Sequence, residues 1–424
     1  MTDLDVSSSS VGQGPSTGID GPDTGGFDPA LADATTVDEL VARGSLKWTA
    51  FPDCLGAWVA EMDFLPAAPI RTALTSAVER GAYGYIAPSL AARTRAATSD
   101  WYRRECGWAV APEDVHLVPD VLQALRVALD HVAGAGSVAV VTTPAYMPFL
   151  TRPQAVGHDV VLAPARVDDG GVWRHDLATL DAALAEAGRR SREAGARPLL
   201  ILCNPWNPVG RVLTREEQLE IADVVERHGA LVFSDEIHAP LRFDGLPHVP
   251  YASIDARTAA HTVTAVSASK TWNLAGLKCA QLLATDPELA QVLRRPTTLA
   301  GLEPATVGVL ANAVAFERGE PWRAAVLAYL ADNRETFARA IAGIAGARHR
   351  QPEGTYLAWV DLREARTPEG ERPPADLAAY LRERVGVAIN DGASCGLPGF
   401  IRVNLATPRP VLARIAEAIA GAFA

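Results

Sequence analysis

Ser267-Ala268-Ser269-Lys270-Thr271-Trp272-Asn273-Leu274-Ala275-Gly276-Leu277-Lys278 follows directly on the apolar, β-branched run Val263 to Val266, which has the character of a buried strand. The strand breaks into small polar residues just before one lysine, and a second lysine follows eight residues later, behind Gly276. Lysine is rarely buried without a partner. At the mouth of an apolar strand, ringed by serines, Lys270 is a candidate for Schiff-base chemistry, because a desolvated or cation-flanked amine loses its proton and becomes a nucleophile. Taken alone, the stretch also fits a surface lysine after a core strand.

Two upstream stretches favour chemistry. The apolar run Leu199 to Cys203 ends in Asn204-Pro205-Trp206-Asn207-Pro208-Val209-Gly210, and Leu231-Val232-Phe233 ends in Ser234-Asp235-Glu236-Ile237-His238. An asparagine, an aspartate and a lysine thus each stand just past the end of a hydrophobic strand, where open α/β sheets bind their ligands. Together these three resemble the fold type I pyridoxal-phosphate enzymes, the aspartate aminotransferase superfamily. The wording is most similar to the cystathionine β-lyase or C–S lyase branch, on Trp58 to Phe64, Asn204 to Gly210, Ser234 to His238 and Ser269 to Lys278. The resemblance runs from about Leu46 to the end of the sequence. It implies an α/β chain of the PLP-dependent transferase fold type I: a large domain around a mostly parallel seven-stranded sheet, with a smaller α+β domain.

The 424 residues leave room for two or three domains, and 48% apolar residues can build a full core. A net charge of −11 with no basic run argues against nucleic acid and acidic membrane surfaces as partners. Cys54, Cys106, Cys203, Cys279 and Cys395 are scattered and odd in number, which favours free thiols over disulfides or a zinc site. The first residues carry no basic leader and no apolar run reaches membrane-spanning length, so a soluble, cytoplasmic protein is expected.

Along the chain, residues 1–30 are rich in Ser, Gly, Pro and Asp and predict a disordered tail, with order beginning near Val37. Residues 31–64 form an arm expected on the small domain, residues 65–302 the large cofactor-binding domain, and residues 303–424 the small domain. Pro66 to Arg80 has a helical pattern. Val115 to Val118, Val138 to Thr142 and Val160 to Leu162 read as strands, and Val121 to Val132 as a helix. Asp176 to Ala194 predicts an alanine-rich, solvent-facing helix. Thr214-Arg215-Glu216-Glu217 is a capping box whose helix closes at Gly229. In Phe400 to Leu405, Ile401, Val403 and Leu405 share one side and Arg402 and Asn404 the other.

The resemblance implies a role for each of several residues. Lys270 would carry pyridoxal phosphate and move the substrate's Cα proton. Asp235 would pair with the pyridine nitrogen, where an opposite charge favours the ionised form by about 1–3 pKa units. Asn207 would donate to the ring hydroxyl oxygen, with His238 near that same oxygen. Tyr146 would stack on the ring, an aromatic contact contributing roughly 0.5–1.5 kcal/mol beyond burial. The backbone of Val121 and Leu122, with Ser267, Ser269 and Lys278, would hold the phosphate. Relatives usually carry glycine where this chain has Asp120, and a carboxylate beside a phosphate is unfavourable unless it points away. Arg402 offers a planar fork to a substrate carboxylate. Tyr85, with Tyr83 as its rival, would reach the site of a neighbouring subunit in a homodimer with shared active sites. The substrate would be a small amino acid. β-Elimination from cystathionine or another S-substituted cysteine and transamination both use this set of residues. The branch-specific wording favours elimination.

Overall fold

The computed structural model describes residues 24–424. Its main sheet has seven strands: β1 (Val115–Val118), β2 (Ala139–Thr143), β3 (Val160–Pro164), β4 (Leu199–Cys203), β5 (Leu231–Asp235), β6 (Thr262–Val266) and β7 (Ala280–Leu283). Their order across the sheet is β1-β7-β6-β5-β4-β2-β3. β3, β2, β4, β5 and β6 run parallel, and β7 runs antiparallel to both β6 and β1. Both faces are covered, which is why the strands read as unbroken apolar runs rather than as alternating ones. Leu199 and Ile201 of β4 enter one core with Leu231 and Phe233 of β5, while Leu200, Leu202 and Val232 enter the core on the opposite face.

The helix Leu177–Glu193 belongs to that second face. It was expected to face solvent, but Leu180, Ala183, Leu184 and Ala187 are buried against the sheet. Their i, i+3, i+4, i+7 spacing forms a narrow stripe of small side chains, which an alanine-rich composition disguises.

A four-stranded antiparallel sheet forms the second layer system, from β8 (Arg348–His349), β9 (Leu357–Asp361), β10 (Asn390–Asp391) and β11 (Phe400–Asn404) in the order β8-β9-β11-β10. Ile401 and Val403 pack into its core with Leu412 and Ile415 of the last helix. Arg402 and Asn404 face the other way. The arm joins this unit: Leu55–Gly56 pairs in parallel with Val387–Ala388, and Leu40, Trp48 and Ala57 share the same core. The helix Thr306–Arg318, placed in the small domain by the division at residue 303, packs instead with the large-domain helices Ala68–Glu79 and Pro88–Cys106.

Order also begins earlier than Val37. Most of the expected tail, residues 1–23, lies outside the described residues, but Pro29–Ala34 is a helix capped by Asp28. Phe27, 5% exposed, meets Phe64, Trp322 and Tyr329 edge-on. One aromatic ring supplies burial that the polar composition around it hides.

Candidate active site

The parallel strands end level. Cys203 of β4 is in register with Asp235 of β5, and Asp235 with Ala265 of β6. The segments that leave these ends therefore open at one edge of the sheet, with Tyr146 following β2, Asn207 following β4, His238 following β5, and Ser267 to Lys270 following β6. A cavity of about 300 Å³ lies there. Its walls include Val121, Leu122, Tyr146, Asn207, Asp235, His238, Ser267, Ser269, Lys270, Lys278 and Arg402, so ten large-domain positions and one small-domain arginine meet in a single space. Tyr85 is absent from these walls. It is fully exposed, as Tyr83 largely is.

Three charged side chains face this space, Asp235 and Arg402 buried and Lys270 half-buried, and among the described residues none of them makes an ion pair. Burial pushes the Asp235 carboxyl up to about 7, against the pull of the Ile237 N–H (3.2 Å) and the charge of Lys270. Burial, and then the Arg402 charge, bring the Lys270 ammonium down to about 8. Lys270 Nζ donates to the carbonyl of Ala60 at 2.8 Å. Arg402 is 2% exposed. It donates from Nη1 to Asn207 Oδ1 at 3.1 Å and from Nη2 to the carbonyl of Trp58 at 3.0 Å, while its Nε has no partner. A guanidinium sequestered without a carboxylate is strongly disfavoured unless an anion comes to it.

Other groups on the cavity wall are similarly open. Asn207 spends its oxygen on Arg402, which leaves its amide N–H groups available to donate elsewhere. Burial holds the His238 imidazole neutral, down to about 3, with the Lys270 and Arg402 charges adding to the effect, and its buried Nδ1 is unpartnered. Burial raises the Tyr146 phenol. The two serines differ. Ser267 donates to the carbonyl of Cys279 at 2.7 Å and accepts the Ser269 N–H at 3.0 Å, so its hydroxyl closes the turn after β6. Ser269 keeps its own hydroxyl free among the described residues. Val121 and Leu122 open a helix whose cap is Asp120, and their N–H groups have no intrahelical acceptor. Asp120 does not point away from the cavity, as a bound phosphate would favour; it pairs with Lys278 at 3.1 Å.

Several residues that shape the site receive no role from the sequence. The segment 58–64 forms a cavity wall through its main chain, and side chains from three regions hold it. Asn390 Nδ2 reaches the Trp58 carbonyl. Asn404 Nδ2 takes the carbonyls of Val59 and Glu61. Tyr356 Oη donates to Ala60 O at 2.9 Å, and Asn273 bonds Met62 and Phe64. Below it, Lys47 and Asp63 form a buried ion pair at 2.7 Å, completed by Trp48 Nε1 on the second carboxylate oxygen. Glu236, next to Asp235, is structural. It accepts from Ser234 Oγ and the Tyr251 N–H and meets His248 Nε2 at 3.0 Å, which fixes the turn that Asp235 begins.

An uncompensated carboxylate, a depressed lysine, a neutral unpartnered imidazole and an unpaired arginine around one small cavity suit a flat, cationic-nitrogen aldehyde cofactor with an anionic amino-acid substrate. Comparison with known proteins gives the same direction. The family described as aminotransferase class I and II matches residues 59–419. The cystathionine beta-lyase of Corynebacterium glutamicum is 34% identical over 380 residues, spanning 89% of this chain and 96% of that protein. A crystal structure from Corynebacterium diphtheriae, provisionally named a PLP-dependent beta-cystathionase, superposes with a TM-score of 0.80 at 33% identity, over 92% of this chain and 98% of that one. A PLP-bound C–S lyase from Staphylococcus hominis, complexed with L-cycloserine, gives a TM-score of 0.75 at 25% identity, over 89% and 92% of the two chains.

Proposed function

The chain belongs to the aminotransferase class I and II family, and from that membership we propose that it is a pyridoxal-phosphate-dependent carbon–sulfur lyase of the cystathionine β-lyase type. It converts an S-substituted cysteine and water into a thiol, pyruvate and ammonia. The observation that carries this reading is the meeting of buried Asp235 and Arg402 with partly buried Lys270, none ion-paired among the described residues, in one cavity.

When bound, pyridoxal phosphate supplies an electron sink for the negative charge left at Cα when its proton is removed. The chain's residues do the rest. Arg402 clamps the α-carboxylate through two parallel hydrogen bonds, and the Asn207 bond keeps its plane fixed while it does so. Lys270, with its amine brought near neutrality by burial, removes the Cα proton; the ammonium so formed is placed to protonate the departing sulfur. Asp235 would hold a proton on the cofactor's ring nitrogen. Asn207 would donate to the ring hydroxyl oxygen with His238 near it, and Tyr146 would cover the ring. Ser269, Lys278 and the main chain of Val121 and Leu122 would receive the phosphate, and Ser267 supports them by fixing the turn.

A thiolate leaves Cβ far more readily than hydride or an alkyl group, so a cysteine thioether opens elimination as the exit from the Cα carbanion. The test is turnover of cystathionine and S-alkylcysteines with no 2-oxo acid present. Thiol, pyruvate and ammonia in equal amounts support the lyase. A strict requirement for an added 2-oxo acid would give the aminotransferase reading instead.

The active protein is a homodimer in this proposal. Tyr85 and Tyr83, with Leu65 and Val78 nearby in sequence, leave large apolar groups in water that a second copy would cover, and Tyr85 would reach the partner's cavity. A fully active monomer in light scattering would exclude it. A reducing, cytoplasmic setting fits five free cysteines, and among the described residues no helix is long and apolar enough to cross a membrane.

A further inference from the structure

The end of the cavity assigned to the phosphate holds an acid. Asp120 uses one carboxylate oxygen, Oδ1, to cap the helix that starts at Val121, accepting the Gln123 N–H at 2.9 Å. Its other oxygen, Oδ2, takes the ammonium of Lys278 at 3.1 Å. Three cationic side chains line the cavity. Lys270 is bonded to Ala60, and Arg402 to Asn207 and Trp58. Lys278 is thus the cation left for a phosphate, and Asp120 already holds it. The Lys278 side chain is 60% exposed, so its ammonium is free to swing between the Asp120 carboxylate and a phosphate held beside it.

We propose that Asp120 and Lys278 form a latch over the phosphate end of the cavity. Asp120 and a phosphate held there compete for the one Lys278 ammonium, and the Asp120 charge stands beside a second anion. The consequence is a cofactor that is held less tightly, and released faster, than the rest of the site would allow. The inference rests on the pyridoxal-phosphate reading of the cavity.

Asp120→Asn isolates the charge. Asparagine caps a helix as well as aspartate does, so the Gln123 contact survives while the competition for Lys278 ends. The holoenzyme is diluted and cofactor release followed by its visible absorbance. The variant is expected to release pyridoxal phosphate about tenfold more slowly or better, the scale of removing one like charge beside a partly screened anion. Reconstitution with pyridoxal, which lacks the phosphate, is the control and is expected to change less than about twofold, since only the phosphate competes for Lys278. Release from the variant as fast as from the native protein overturns the latch. So does an equal slowing with pyridoxal, which would mean a general tightening of the helix. A native protein that binds neither compound would instead remove the cofactor reading on which the latch depends.

Discussion

Asp235→Asn is expected to stabilise the cofactor-free protein while disabling the site. The carboxyl is 4% exposed, and burial shifts it from 3.8 to about 7, roughly three units or about 4 kcal/mol at most. The sign follows from proton binding. Between about pH 4 and 7 the native state holds a proton that the unfolded chain has lost, so stability falls as the pH rises through that window. Above it the whole cost of the buried charge is present. Asparagine never carries that charge, so the melting temperatures of the two proteins should coincide near pH 4. They should separate steadily to pH 7.5, with the variant higher. His238, whose neutral form is favoured by burial, contributes a slope of opposite sign below its ordinary range. It does so in both proteins and cancels in the difference. Lys270 titrates at about 8 and stays outside the window. Saturating cofactor should narrow the gap, because the native carboxylate gains a cationic partner that asparagine cannot match. The assay is a thermal melt of both cofactor-free proteins across pH 4 to 7.5. A gap that is constant with pH would refute the argument, since it would place the effect in packing rather than in the buried charge.

Arg402→Ala should weaken binding of α-carboxylate substrates by about 2–5 kcal/mol, the range for losing one side of a buried hydrogen-bonded charge pair. Amines that lack the carboxylate should lose little affinity, and equal losses for both would make Arg402 structural. Asn404→Ala strands the Val59 and Glu61 carbonyls and the Ala406 N–H. At roughly 1–3 kcal/mol for each unmet buried group, a loss of several kcal/mol in urea denaturation is expected. A change under about 1 kcal/mol would show that water or a shifted main chain replaces Asn404.

The strands and their polar ends were legible because burial on both faces demands unbroken apolar runs, and a polar residue stopping such a run marks the edge where a ligand binds. Lys270, Asp235 and Asn207 stand at such stops, and Arg402 is the polar exception on an alternating strand. What was not legible depends on contacts remote in sequence. Phe27 is ordered by Phe64, Trp322 and Tyr329. No local pattern announces that. Ser267 could not be told from Ser269, because which hydroxyl is spent depends on where the carbonyl of Cys279 lies. Tyr85 is fully exposed, and no contact among the described residues marks it.

The segment 58–64 shows why such contacts matter for chemistry. It has no strand or helix of its own between Trp58 and Phe64, yet its carbonyls meet side chains from both sheets. Ala60 O receives the Lys270 amine and Trp58 O receives the Arg402 guanidinium. Two residues of main chain span at most about 7 Å. Lys270 and Arg402 are therefore tied to neighbouring points on one strip of backbone, although one follows the large sheet and the other belongs to the small. That strip is in turn fastened from both sides, by Asn273 just after Lys270 and by Asn404 just after Arg402. A displacement of the small sheet against the large one pulls on this strip, so these asparagine bonds resist a change in the spacing of Lys270 and Arg402.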